Sequence, residues 1–165
     1  SAQDVATSSA VWRENVTAPP PFFDRVTQAT LEAIELMTSM KNSRVDMAQA
    51  PVEVSGLLEL KGEKDRLFLM GLSVDCAVKL TRSVLGDVPV EVDEELVSDC
   101  VGELCNIIVG RMRERIEPDE AFEMTVPIVV FSDSPRIHWQ AEADVYKAHF
   151  HGEAGPFTIR LLNRR

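Results

Sequence analysis

Three polar side chains recur at helical spacing in the middle of the chain: Asp99, Glu103 and Asn106. At about 100° per residue, these three and Gly110 would share one stripe about 60° wide on a helix. A carboxylate can pair with a cation, and a carboxamide can orient a water molecule because it both donates and accepts hydrogen bonds. The stripe therefore has the groups needed to place water beside a charged partner.

Two members of this stripe are unfavourable choices for a helix surface that nothing contacts. Asn106 competes with the helix backbone for hydrogen bonds, and a glycine such as Gly110 costs about 1 kcal/mol relative to alanine. The missing side chain at Gly110 would let another surface approach closely. An ordinary solvated face that happens to hold Asp, Glu and Asn is the alternative interpretation of the pattern.

Hydrophobic periodicity predicts three helices, the last of which carries the stripe. Asp24, Ser73 and Asp93 are the predicted N-caps, and Val84 is expected to point inward from the second helix. The predicted helices cover about residues 24–40, 73–85 and 93–116.

Alternating or continuous apolar runs predict strands in most of the remaining chain. These runs are 52–54, 56–60, 66–70, 122–126, 128–131, a long strand from 137 that turns at 152–155, and 157–161. Because hairpins outnumber crossovers, the predicted fold class is α+β, with a mostly antiparallel sheet and helices packed on it.

Length and composition limit the possible functions. The chain has 165 residues, enough for one domain, and we expect residues 1–20 to form a flexible or extended N-terminal segment before a domain at 21–165. A net charge of -10 disfavours nucleic acid and membrane surfaces as partners. Three cysteines without a CxxC pair indicate reduced thiols and a cytoplasmic protein.

Other reactive residues have ordinary explanations. His149 and His151 would share one face of a strand, so that metal binding is conceivable, but surface or packing roles are commoner. Cys100 and Cys105 are expected to be small core residues. We predict no metal site and no cofactor of the chain's own.

The sequence around the stripe resembles the active-site helix of the CheX, CheC and FliY phosphatases, which dephosphorylate the response regulator CheY. Their motif is Asp or Ser, three residues, Glu, two residues, Asn, and a later Pro. Asp99, Glu103 and Asn106 match it, and Pro127 stands where the later proline is expected. The resemblance extends over about residues 21–162 and implies a CheC-like fold, with long helices packed on one face of the sheet.

The resemblance also implies roles for these residues. Asn106 would hold the attacking water, and Glu103 would pair with the active-site lysine of the receiver domain, both as catalytic residues. Asp99, Gly110 and Pro127 are expected to serve partner binding, the proline by shaping the adjoining strand. The implied partner is a phosphorylated CheY-like receiver, which would carry Mg²⁺ in its own acidic pocket, and the protein would be a homodimer.

Within this group the chain is most similar to the CheX type, which has one site per chain. The corresponding stripe on the first helix is Gln28, Glu32 and Glu35, which contains no Asn, and we interpret it as a solvated face. Two alternatives remain. The chain could be a non-catalytic module that docks a receiver or belongs to a flagellar switch, or an orphan signalling domain whose partner is not a chemotaxis regulator.

Overall fold

The computed structural model describes residues 12–14, 19–47, 51–132 and 142–165. These residues form three α-helices, eight strands and a short 3-10 helix at Pro118–Glu120. The helices are α1 (Pro21–Thr38), α2 (Val74–Leu85) and α3 (Glu94–Arg113). The strands are β1 (Trp12–Glu14), β2 (Asn42–Val45), β3 (Val54–Gly62), β4 (Arg66–Leu72), β5 (Phe122–Met124), β6 (Ile128–Phe131), β7 (Ala143–Gly152) and β8 (Phe157–Arg164).

All eight strands belong to one sheet. Its central order is β7-β8-β4-β3; β1 and β2 both pair with β7 at one side, and β5 and β6 both pair with β3 at the other. Every pairing among these strands is antiparallel except that of β1 with β7. The predicted α+β class with a mostly antiparallel sheet is confirmed.

The main core lies between the helices and one face of this sheet. Side chains alternate along each strand, so that Phe68, Met70 and Phe150 face the helices and are fully buried. Leu67 and Leu69 point to the other face, where they belong to a smaller apolar cluster. The long helices α1 and α3 pack against one another and both contribute buried residues to this core, so both lie on the same side of the sheet.

Local sequence signals explain where the helices begin. The Ser73 hydroxyl accepts a hydrogen bond from the Cys76 N–H and caps α2, as predicted. The first helix differs from the prediction, because Pro21 at its first turn has a backbone angle suited to a helix start. Asp24 is therefore a first-turn residue and not the N-cap. Val84 is 38% exposed, so its predicted inward orientation is wrong.

Strand boundaries also differ from the sequence patterns. The predicted strand 56–60 lies within the longer strand β3, which begins at Val54, so that residues 52 and 53 of the predicted strand 52–54 are not in a strand. Strand β2 was not predicted. The part of the long strand predicted for 137–141 lies outside the described residues. Strand β1 (Trp12–Glu14) falls in the predicted N-terminal segment and pairs with β7.

No helix among the described residues is both long and apolar enough to cross a bilayer.

Candidate functional site

Helix α3 has strong signals at both ends. The Asp93 carboxylate accepts a hydrogen bond from the Leu96 N–H at 2.9 Å, which caps the helix as predicted. Two glutamates follow in the first turn, and Arg111 and Arg113 occupy the last turn. These charges suit the helix dipole, which is positive at the N-terminus and negative at the C-terminus. The helix that carries the stripe is therefore stabilised by its own sequence.

A close contact with β3 fixes the position of α3 on the sheet. A Cβ atom at Gly56 would lie 2.6 Å from the Sγ of Cys105 and 2.9 Å from the Cγ1 of Val101. Real Cβ atoms do not approach other atoms so closely, so only glycine lets the helix lie at this distance from the strand. The opposite side of α3 is turned away from the sheet.

The predicted stripe lies on that outward side of α3. Asp99 and Glu103 are exposed, while Asn106 and Gly110 are half-buried. Asn106 therefore does not lie beneath the sheet. In the part of the chain that the structure describes, no side-chain hydrogen bond or ion pair involves Asp99, Glu103 or Asn106. The stripe therefore places one carboxamide and two carboxylates on the same side of α3. Within the described residues, none of these three groups is used in a side-chain hydrogen bond.

A bulge in the edge of the sheet forms one flank of the stripe. Leu60 pairs with Met124 and Leu57 pairs with Ile128, so that two residues of β3 face the three residues 125–127. An extra residue in an edge strand bends it and redirects its side chains. Here the bulge separates β5 from β6 at a point beside the helix.

The bulge brings Pro127 next to α3 at Gly102. A Cβ atom at Gly102 would lie 3.7 Å from the Cγ of Pro127 and 3.8 Å from the Cγ2 of Val129. Because Gly102 precedes Asn106 by one turn, Pro127 lies along the flank of the stripe. The structure thus brings this proline close to the predicted site residues. Gly102 was missed, although an interior helix glycine is the same signal that singled out Gly110.

The stripe of α1 does not match the prediction of a simple solvated face. Gln28 and Glu35 are exposed, but the Glu32 carboxylate accepts hydrogen bonds from Arg115 and, at 3.0 Å, from Arg111. The hydrogen bond from Arg115, with that from Arg111, lowers the pKa of Glu32 below its ordinary value of 4.5. The prediction fails for Glu32 because α1 and α3 lie side by side, so that arginines of α3 and its C-terminal turn reach this carboxylate.

The remaining reactive groups of the described residues do not assemble a second site. Burial raises the pKa of Cys76 and of Cys105 to about 12, and it also raises that of Cys100, so all three thiols are in their unreactive form. His149 and His151 share one face of β7. Among the described residues, no group of three or more His, Cys, Asp or Glu side chains is arranged to hold a metal ion.

Solved structures with the same fold include those of chemotaxis proteins. CheX from Vibrio vulnificus is 21% identical, with a TM-score of 0.75 over 90% of this chain and 99% of that one. A putative chemotaxis protein from Desulfovibrio vulgaris Hildenborough is 21% identical, with a TM-score of 0.76 over 92% and 100% of the two chains. A chain of the CheX–CheY–BeF3–Mg²⁺ complex from Borrelia burgdorferi is 13% identical, with a TM-score of 0.68 over 87% of this chain and 98% of that one.

Sequence comparison gives the family itself. No curated protein sequence matches the chain significantly. Residues 54–151, which are more than half of the chain and include α3, the bulge and most of the sheet, match the sequence model of the family described as "Chemotaxis phosphatase CheX". The chain therefore belongs to the CheX family.

Proposed function

We propose that this chain hydrolyses the aspartyl-phosphate of a CheY-like receiver domain and so terminates a chemotaxis or related two-component signal. The observation that carries the proposal is the free, outward carboxamide of Asn106 on a helix whose position the Gly56 contact fixes. Membership of the CheX family supports this activity, and the Borrelia complex shows that a related fold can bind a CheY protein.

Asn106 is the proposed water-orienting residue. Hydrolysis of an acyl-phosphate passes through a loose transition state, so that positioning of the water and electrostatic stabilisation provide most of the acceleration. A carboxamide cannot act as a base near neutral pH, but it can hold water in line with phosphorus through hydrogen bonds. Because Asn106 has no side-chain partner within the described residues, these hydrogen bonds remain available.

Glu103 is the proposed partner of a receiver lysine. A carboxylate would be repelled by the phosphoryl group, so it is more useful against a cation at the edge of the receiver's site. Asp99 lies one turn closer to the N-terminus of α3 and would support this contact. Both are exposed, and neither is paired with a cation in the described part of the chain.

Gly110 and Pro127 are proposed to shape the docking surface. Nothing lies within 4 Å of a Cβ atom built at Gly110, so packing inside this chain does not require a glycine there. Its absent side chain would allow the receiver to approach the helix backbone. Pro127 would border the same surface from the bulge. The receiver would supply Mg²⁺ in its own acidic pocket, and the Borrelia complex of CheX with CheY also contains Mg²⁺.

We also propose that the protein is cytoplasmic and forms a homodimer through its sheets. Within the described residues β6 pairs with β3 alone, and it exposes the side chains of Ile128 by 58% and Phe131 by 36%. Exposed apolar strands at the edge of a sheet are common sites of association. Light scattering coupled to size-exclusion chromatography tests the dimer. A mass of one chain at micromolar concentration would contradict it.

The central experiment follows phosphate loss from a Mg²⁺-loaded, phosphorylated receiver with and without this protein. We expect dephosphorylation to accelerate in proportion to the amount of protein added. If the rate equals that of the receiver alone while the two proteins still bind, the chain is a docking module and the enzyme proposal is wrong. If no chemotaxis receiver binds, the proposed partner class is wrong.

A further inference from the structure

The hydroxyl of Thr125 holds the bulge between β5 and β6 in place. The Glu59 N–H donates to the Thr125 Oγ1 at 2.9 Å, and the Thr125 N–H donates to the Glu59 carbonyl at 3.0 Å. The first of these bonds replaces a bond that a backbone carbonyl would accept in a regular ladder. One side chain therefore satisfies the backbone group that the extra residue would otherwise leave unpaired.

The next residues show what this bond achieves. After Thr125, Val126 is 83% exposed, and Pro127 turns back to lie against α3 at Gly102. Val129 contacts the helix at the same point, where β6 resumes its pairing with β3. The position of the Pro127 flank relative to the stripe thus depends on where the bulge sits.

We propose that Thr125 is a positioning residue for receiver docking, acting through Pro127. This inference rests on the proposed function. It concerns docking and not the chemical step, because α3, which carries Asn106, also packs closely on β3 at Gly56, away from the hydrogen bonds of Thr125. Loss of the Thr125 hydroxyl would move the flank but would leave the helix that carries Asn106 in place.

The test compares three variants of the full chain. Thr125→Val removes the acceptor while keeping the side-chain shape, so that the Glu59 N–H loses its partner. Thr125→Ser keeps the hydroxyl and is the conservative rescue. Thr30→Val is the matched control, since Thr30 is fully buried in α1 and its hydroxyl donates to the Val26 carbonyl at 2.8 Å, away from the bulge.

Two quantities are measured with each variant: the KM and kcat for dephosphorylation of the receiver, and the Kd for a beryllofluoride-loaded receiver. For Thr125→Val we expect KM and Kd to rise about three- to tenfold, as the loss of one hydrogen bond would give, with kcat changed less than twofold. Thr125→Ser and Thr30→Val should keep wild-type KM and Kd. Thermal melting shows whether each variant is folded at the assay temperature.

The outcomes separate this inference from the proposed function. If the wild-type protein binds and dephosphorylates the receiver but Thr125→Val has unchanged KM and Kd, the role of Thr125 is wrong and the proposed function stands. The same holds if Thr30→Val weakens docking equally. If the wild-type protein binds without hydrolysis, the enzyme proposal fails while the Kd values still decide the role of Thr125. If no receiver binds, both are wrong.

Discussion

Helices α1 and α3 carry similar polar stripes, but the two stripes have different surroundings. On α1, the carboxylate of Glu32 accepts hydrogen bonds from Arg111 and Arg115 and is neutralised within the chain. On α3, Glu103 and Asn106 meet no side-chain partner in the part of the chain that the structure describes. The stripe on α1 links α1 to α3 through Glu32, whereas the stripe on α3 remains available to a partner protein.

This difference shows that spacing alone does not separate a site from an internal ion pair. Both stripes have the period of a helix, and both contain glutamate. The arginines that pair with Glu32 of α1 come from the C-terminal end of α3 and the turn after it. The outward side of α3 has no comparable neighbour among the described residues, because the sheet and the other helices lie on its remaining sides.

The largest expected effect on dephosphorylation comes from removing the carboxamide of Asn106. We expect Asn106→Ala to lower kcat for receiver dephosphorylation by about 100-fold, since a single positioned hydrogen-bonding group at a reacting centre is commonly worth that much. Affinity for the receiver should change little, because the charged contacts remain. The measurement is loss of phosphate at saturating receiver, together with the Kd for the beryllofluoride-loaded form.

Gln28→Ala on α1 is the matched control for this substitution. It removes an exposed carboxamide from the corresponding stripe and should leave kcat at the wild-type value. An Asn106→Ala variant that is as fast as the wild type would show that Asn106 does not orient the water. Equal losses in both variants would instead indicate a general effect of altered helix surfaces.

The next largest effect is expected for charge reversal on the same stripe. Glu103→Lys should raise the Kd for the receiver at least about tenfold, because the proposed lysine partner would then face a like charge. Surface plasmon resonance at two salt concentrations measures this. The loss should shrink as salt screens the repulsion.

Glu35→Lys makes the same charge reversal on α1, where Glu35 is exposed. It is the control for the change in net charge, and its affinity should remain within about twofold of the wild-type value. If both substitutions weaken binding equally, the protein's overall charge, and not the position of Glu103, determines docking.

The helix that carries the site could be predicted from the sequence more fully than its surroundings. Its start at Asp93 and its outward stripe follow from local capping and from a 3.6-residue period, which depend on neighbours in the chain. The bulge at 125–127 could not be predicted. The bulge depends on how β5 and β6 pair with β3. The alternation of apolar and polar residues alone predicted that Val126 belongs to a strand.

The ion pairs of Glu32 show the same limit for charged residues. From the sequence alone, a glutamate in a polar stripe of a helix is predicted to be exposed to solvent, because its neighbours in space are not known. Arg111 is 79 residues away along the chain, and only the packing of α1 on α3 brings the two together. Gly56 is similar, because the reason for a glycine in β3 is the closeness of Cys105 on another element.

For Gly110→Ala we expect opposite effects on thermal stability and on affinity for the receiver. Alanine favours a helix over glycine by up to about 1 kcal/mol, so we expect the thermal midpoint to rise by about 2–4 °C. Receiver affinity should fall several-fold if a surface approaches the helix here. Gly102→Ala is the control, since its Cβ would meet Pro127 at an ordinary contact distance and should preserve affinity. An unchanged Kd for Gly110→Ala would remove Gly110 from the docking surface.

The smallest effect is expected for the ion pairs of α1. Glu32→Gln should lower the thermal midpoint by on the order of 2 °C at pH 7, because partly exposed ion pairs contribute little. It should leave kcat and Kd unchanged.

The pH dependence of this effect has a definite sign. The pKa of Glu32 is lowered in the folded protein by its hydrogen bonds with the two arginines, so its stabilisation is complete above the ordinary value of 4.5. It is lost as the pH falls below 4.5 through the lower folded value. The difference in midpoint between wild type and Glu32→Gln should therefore be constant from pH 7 to 5 and shrink below 4.5. A difference that grows on acidification would show that Glu32 is not held as its ionised, arginine-bound form.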